Sequence, residues 1–435
     1  MNPIRKQRTI ISTLLVMLLV ALAVNTALAT GGSTFAFQKE ATPSFYSGVT
    51  FGGNNTAEAK LLIDRVKSYT NLFVVQSGPI SKNETAMTEI SEYAIDAGLS
   101  LIVYFGWLDP QQPWQLPWLK MARQEWGDRF LGVYFDDEPS GIPLDYNWTG
   151  FFTAQKQQNS TLYREHAFAI DGLLNDTYPH NHDEAAALSQ KAIERNLAQL
   201  KNSSLTVFTS DYVLYWFDYL GGYDVMLAQL GFNASITQNI ALIRGAARMQ
   251  NRKWGAIITW KYNEPPYLDT GEEIYNQMLT AFEAGAKYVV IFNYPQIENN
   301  PYGTLQDEHF EALENLWNTV TKTRETGNLP DFSQAEAVLV LPKNYGWGMR
   351  RADDRIWGYW EPDEKSPQIW NISRILLSQY GLRLDIVYED PVFPVSNKYP
   401  LVYYWNQSTI DALQTNWFSS FANRSSECPR MMHGD

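Results

Sequence analysis

Eight short apolar runs, separated by stretches of helical periodicity, dominate about 280 residues of this chain and leave few folds open to it. The runs are Phe45–Gly53, Leu72–Gly78, Ser100–Trp107, the opening of Phe130–Gly141, Leu205–Asp211, Tyr223–Gln229, Trp254–Tyr262 and Ala286–Tyr294. Apolar runs of this length bounded by turn residues read as buried parallel strands. Between them, Ala57–Ser68 places Leu61, Leu62 and Val66 on one helical face, and Ser235–Met249 does the same with Ile236, Ile240, Ile243 and Ala247. Thr85–Ala97, Pro117–Trp126, Glu272–Ala284 and Leu305–Arg324 read as further helices. Parallel strands need crossover connections, and eight strand–helix units over this length predict a (β/α)8 TIM barrel, assigned here to residues 30–328.

Two stretches depart from that rhythm. Residues 142–204 are too long for a simple loop and are expected to be an insertion at the barrel rim, with helices near Trp148–Gln158 and Asp183–Lys201. After Gly327-Asn328-Leu329-Pro330 the pattern restarts, with strands at Glu336–Leu341, Leu384–Tyr388 and Leu401–Trp405 around a helix at Pro367–Tyr380. Residues 329–435 therefore read as a small, shortened α/β domain ending in the polar tail Ser425–Asp435.

The first 29 residues have the layout of a secretory signal peptide: basic Arg5, Lys6 and Arg8, the apolar run Ile10–Val24, and small residues at Ala27-Leu28-Ala29. No later apolar run is long enough to span a bilayer, so none is expected after signal cleavage. Asn-X-Ser/Thr sequons begin at Asn54, Asn83, Asn147, Asn159, Asn175, Asn202, Asn233, Asn371, Asn406 and Asn423, a density that suits a secreted or cell-surface glycoprotein. The net charge of −13 disfavours nucleic acid and anionic membrane surfaces as partners. Cys428 is the single cysteine, which excludes an intrachain disulfide and a cysteine zinc site.

The chemistry concentrates at the fourth run, FLGVYFDDEPSG, where Asp136, Asp137 and Glu138 follow a buried strand directly. Carboxylates there are costly unless they sit at a solvated rim, which in α/β barrels is the ligand-binding end. Strand alternation would put Tyr134, Asp136 and Glu138 on one face, toward the barrel mouth, and Phe135 and Asp137 on the other. Two adjacent carboxylates cannot both ionise freely, so one pKa rises, as a general acid near neutral pH requires. Glu264, in Asn263-Glu264-Pro265 after the seventh run, is the candidate second carboxylate. Asp109 and Asp211 are further rim acids. Trp107, Tyr212, Trp216, Trp260 and Tyr294 offer faces for sugar rings, with Asn263 and Asn293 as polar contacts at the same strand ends.

Asp137-Glu138-Pro139 on the fourth strand resembles the Asn-Glu-Pro-like acid/base motif of the clan A glycoside hydrolases, whose nucleophile is on strand seven. This resemblance implies Glu138 as acid/base, Glu264 as nucleophile or base and Asp136 as the group tuning Glu138. The chain departs from the pattern in carrying Asp137 where Asn stands, and in a second Asn-Glu-Pro at strand seven. The trailing domain resembles the flavodoxin-like domain that follows the barrel in family 42-type β-galactosidases. Asp136-x-Glu138 also resembles the strand-four end of chitinase-like barrels, which implies a substrate acetamido group as nucleophile; the fuller Asp-rich pattern is absent.

The expected ligand is thus a carbohydrate substrate or glycan, with no cofactor and no metal. His180-Asn181-His182-Asp183-Glu184 looks metal-like, but Asp183 makes a good helix cap. Lys343–Gly348 lacks phosphate-loop spacing, and Arg350–Arg355 reads as a salt-bridged loop against the barrel. An alternative of another class is a non-catalytic surface glycoprotein using a hydrolase-like barrel for glycan binding.

Overall fold

The structure, a computed structural model, describes residues 43–145, 148–175, 179–201, 203–231, 235–261, 265–326 and 332–406. The leader at 1–29, the linker at 327–330 and the tail from 425 lie outside the described residues. From Ser44 onward the chain forms one compact unit.

All eight anticipated strands are present. They are β1 (Tyr46–Phe51), β2 (Leu72–Val75), β3 (Ser100–Phe105), β4 (Phe130–Phe135), β5 (Val207–Asp211), β6 (Val225–Leu230), β7 (Lys253–Ile258) and β8 (Tyr288–Ile291). Each pairs in parallel with its sequence neighbour, and β8 returns to β1 with Val49 opposite Ile291, closing the barrel. The molecule is a (β/α)8 TIM barrel.

Alternation along the strands builds two cores. Tyr46, Val74, Ile102, Tyr134, Phe208, Leu227 and Tyr288 fill the barrel interior, with Tyr46 stacked on Tyr288 at 5.2 Å. Val49, Phe73, Phe105, Val133 and Phe135 point outward beneath the helices. A filled interior leaves the C-terminal rim as the place where a ligand can enter.

β4 carries an irregularity that matters for the site. Its pairing with β3 slips between Leu101 and Ile102, which oppose Phe130 and Gly132. Gly132 has φ +150°, and a Cβ there would lie 2.1 Å from the Thr206 carbonyl oxygen, so glycine is required. The bulge resets the alternation: Phe130 and Val133 face outward, while Leu131 and Tyr134 face the interior.

The insertion after β4 is helical: Gly141–Asp145, Trp148–Gln157, Thr161–Leu174 and His182–Leu197. The Thr161–Leu174 helix escapes sequence periodicity because it is kinked at His166, where φ −127° and ψ 17° shift the apolar phase. After the barrel, β9 (Ala337–Leu341), β10 (Leu384–Tyr388) and β11 (Leu401–Tyr404) form a parallel sheet in the order β10-β9-β11, with the Lys365–Tyr380 helix between β9 and β10.

This sheet is fastened to the barrel. Arg244, on the Ile236–Met249 helix, is buried and donates to Asp385 Oδ1 at 2.8 Å and to the Phe332, Leu382 and Leu384 carbonyls. Arg350, on the loop after β9, bonds Asp354 at 2.7 Å and Asp145 of the insertion at 2.5 Å, so the Arg350–Arg355 stretch is indeed a salt-bridged loop against the rim. No helix among the described residues is long and apolar enough to cross a membrane.

Candidate active site

β4 ends at Phe135, and the backbone then leaves the extended region: Asp136 has φ +62° and Glu138 φ +53°. Positive φ at two non-glycine residues is costly and persists only where the surroundings impose it. Here the Asp136 N–H donates to the Gly106 carbonyl, the Glu138 N–H donates to the Ser210 carbonyl, and Thr209 donates to the Asp136 carbonyl at 3.2 Å. The turn is therefore stitched to the loop after β3 and to β5.

That turn corrects the assignment of faces made from alternation. Tyr134 faces the interior as expected, but Asp137, not Asp136, comes back above it. The Tyr134 hydroxyl lies 2.5 Å from Asp137 Oδ1 and 2.7 Å from Ser210 Oγ, and Ser210 Oγ lies 3.1 Å from the same Asp137 oxygen. Gln229 Nε2, at the end of β6, donates both to Ser210 Oγ at 3.0 Å and to Glu138 Oε1 at 2.8 Å. Asp137 and Glu138 thus share one polar network. Asp136 accepts from the Asp137 N–H at 2.9 Å and from Asn196 Nδ2 at 3.4 Å on the His182–Leu197 helix.

The electrostatics follow from this placement. Burial raises the Glu138 carboxyl to about 7, and the charge of Asp137 adds to the rise; the bond from Gln229 opposes it. The neighbour acting on Glu138 is therefore Asp137 rather than Asp136. Burial also lifts Asp136 and Asp137 to about 6. The hydroxyls of Tyr134 and Ser210 both donate to Asp137 Oδ1, and these bonds oppose the rise that burial causes there. Among the described residues no cation pairs with Glu138.

These carboxylates line a cleft of about 1340 Å3 at the C-terminal rim. Trp107, Asp109, Asp136, Asp137, Glu138, Tyr212 and Trp260 all line it. Asp109 also accepts from the Gln111 N–H at 2.8 Å. Tyr212 donates to Asp145 at 2.5 Å beneath the Arg350 guanidinium. Trp260 packs against Phe292 and Tyr294, and Tyr294 is 42% exposed beside it.

Three expected ligand contacts lie elsewhere. Trp216 is 3% exposed and packs against Tyr388 and Phe393, because it sits on the outer helix Tyr215–Gly221. Asp211 is fully buried; it accepts from the Ser140, Gly141, Tyr212 and Val213 N–H groups and so fixes the turns after β4 and β5. Asn293 is buried and accepts from the Thr304 N–H and hydroxyl. Asn263 and Glu264 lie outside the described residues.

Ser210, Gln229, Tyr134 and Asn196 escaped sequence reading as site residues. The first two carried a usable signal: each is a polar side chain near the C-terminal end of a barrel strand that opens on apolar residues. Asn196 had none, since its role depends on how the insertion folds back. Opposite β4, β6 to β8 contribute Gln229, Thr259, Trp260 and Phe292, with no carboxylate among the described lining residues. His182 packs its ring near Tyr345 and Trp360.

Fold and site together define a (β/α)8 barrel with a cluster of carboxylates, raised in pKa by burial, at the end of β4. No protein-family model matches the chain, and no curated protein does. Among solved structures, it is similar to a GH5_18 protein from Streptomyces cattleya, solved in complex with GlcNAc, at 10% identity over 84% of this chain and 99% of that one, TM-score 0.48. A GH5_18 protein from Bifidobacterium longum subsp. longum gives 10% identity, 84% and 98% coverage and TM-score 0.45. A GH99 endo-alpha-mannosidase from Bacteriodes thetaiotaomicron gives 12%, 65% and 99%, and 0.38. Identities of this order leave the chemistry to be read from the site itself.

Proposed function

We propose that this chain is an exported glycoside hydrolase that cleaves O-glycosidic bonds, with Glu138 as its general acid/base. The observation that carries the reading is the placement of Glu138: a carboxyl that burial raises to about 7, with no ion-pair partner among the described residues, lining a large cleft. Such a group can give a proton to a leaving-group oxygen and take one back from water. Asp137 is the neighbour that keeps Glu138 protonated, and Tyr134, Ser210 and Gln229 orient the pair. Trp107, with the His166 ring against it, and Trp260 line the cleft and are the aromatic side chains on which a pyranose ring would stack. Glu264 is the nucleophile or base in this reading. The signal-peptide-like pattern at 1–29 and the sequons support export in this reading, and the β10-β9-β11 sheet is read as the start of a flavodoxin-like domain.

One observation favours a second mechanism on the same site. Asp136 and Asp137 line the cleft beside Glu138, and aspartates so placed can hold a substrate acetamido group as the nucleophile. In that case only 2-acetamido sugars are cleaved, and Glu264→Ala retains turnover. The test of the proposal is a panel of aryl glycosides, acetamido sugars included, offered to the full chain: turnover of one or more supports an enzyme, while saturable binding without turnover returns the chain to the glycan-binding class.

A further inference from the structure

The cleft has two chemically different parts. Its floor, at the strand ends, is built from Asp137, Glu138, Ser210, Gln229 and Tyr104. Its upper wall comes from the insertion; Phe151, Phe152, Leu162, Phe168 and Leu188 form an apolar stretch on it, beside the polar Ser189, Asn196 and Gln199. Phe168, on the Thr161–Leu174 helix, is 75% exposed. Of the charged groups of this wall, Arg164 bonds the Asn159 carbonyl and Thr161, Glu165 pairs with Lys82 at 3.1 Å, and Arg195 also lines the cleft.

Along the apolar stretch itself a sugar would be poorly served. Saccharide hydroxyls lose hydrogen bonds to water on binding and need replacements, which Leu162, Leu188 and three phenylalanines cannot offer. A hydrocarbon loses nothing, and covering this wall removes apolar area from water on both partners. The wall is joined to the acid directly, because the insertion begins at Gly141, three residues after Glu138. The side of the bond that Glu138 would protonate is the leaving-group side.

We propose that the insertion is a binding wall for an apolar leaving group, so that the substrate class is a glycoside of a lipid-like alcohol, with the sugar on the floor and the hydrocarbon along Phe151, Phe152, Phe168 and Leu188. This rests on the glycosidase reading for the identity of the sugar end, but the wall itself can be tested without turnover.

The probes are methyl, hexyl and octyl β-D-glucoside below their micelle concentrations. They are titrated into the full chain and into Glu138→Gln, with tryptophan fluorescence as the readout, since Trp107 and Trp260 line the cleft. Affinity should rise with chain length, by up to roughly fourfold per added methylene. The rise should persist in Glu138→Gln and flatten in Phe168→Ser and in Phe151→Ser, with melting temperature confirming that each variant folds. Equal affinity for methyl and octyl glucoside overturns the proposal. So does a chain-length dependence that both phenylalanine variants leave intact, because the hydrocarbon then binds elsewhere. A dimer that Phe168→Ser dissociates, with no gain along the series, assigns the wall to a second copy of the chain and also overturns it. Loss of chain-length dependence leaves the glycosidase reading standing; absence of turnover with chain-length-dependent binding removes that reading and keeps the wall.

Discussion

Gln229→Leu isolates what tunes Glu138. Gln229 Nε2 donates to Glu138 Oε1 at 2.8 Å, and this bond favours the ionised carboxylate. Hydrogen bonds to charged groups contribute about 1.5–3 kcal/mol, and about 1.4 kcal/mol corresponds to one pH unit in a pKa. Water reaching the half-buried carboxylate through the open cleft recovers part of the loss. The net expectation is a rise of about one pH unit, from about 7 to about 8. A general acid works in its protonated form, so the basic limb of the kcat/KM profile should move alkaline by that amount. Ser210 keeps its contact with Asp137, so the second carboxyl is not stripped of its own partner. The assay is kcat/KM from pH 4 to 10 on the best glycoside of the panel, with a melting curve at each end. A basic limb that stays in place, or that moves toward acid, refutes the role assigned to the Gln229–Glu138 bond.

Two tryptophans separate packing from binding. Trp216→Ala removes a buried side chain between the barrel and β10, and should cost about 3–5 kcal/mol in chemical denaturation; Trp260→Ala, at the cleft, should leave stability nearly unchanged and weaken glycoside binding. The reverse pattern would return Trp216 to the site. Stability should also fall as pH rises from about 4 to about 8. Asp136, Asp137 and Asp211 have raised folded-state pKa values, about 6, 6 and 8, against about 3.9 when unfolded, so the native chain binds more protons across that window. A carboxyl lifted from about 4 to about 6 contributes up to about 2.7 kcal/mol that is fully present below pH 4 and lost through the folded pKa. Melting temperatures measured at pH 5 and pH 8 check the sign, and a higher value at pH 8 contradicts it.

The barrel was legible because its signals are local and repeated. Each strand is an apolar run closed by a turn, and each crossover helix shows its own periodicity, so the count of eight survived shifts of a few residues at element ends. The same holds for β9, β10 and β11. The site was legible only to the point where the backbone stops being regular. Alternation assigned Tyr134 and Phe135 to their observed faces, then failed at Asp136, where a positive φ imposed by bonds to Gly106, Ser210 and Thr209 turned Asp137 toward Tyr134. Those three partners are distant in sequence, and no window around FLGVYFDDEPSG contains them. Trp216 and Asp211 show the opposite error: residue type suggested a ligand contact, while the outer helix and the turn after β5 had structural uses for both. The kink at His166 hid the helix that carries Phe168, and with it the apolar wall of the cleft.

The central claim is that Glu138 moves a proton in glycoside cleavage. Its most direct test is turnover by Glu138→Gln beside the wild-type chain, on a glycoside with a poor leaving group. Glutamine preserves the shape and the contact with Gln229 but cannot donate an acidic proton. The expected result is a loss of roughly 10²–10⁴ in kcat with binding retained. Equal turnover by the two proteins would contradict the assignment of Glu138 as the acid.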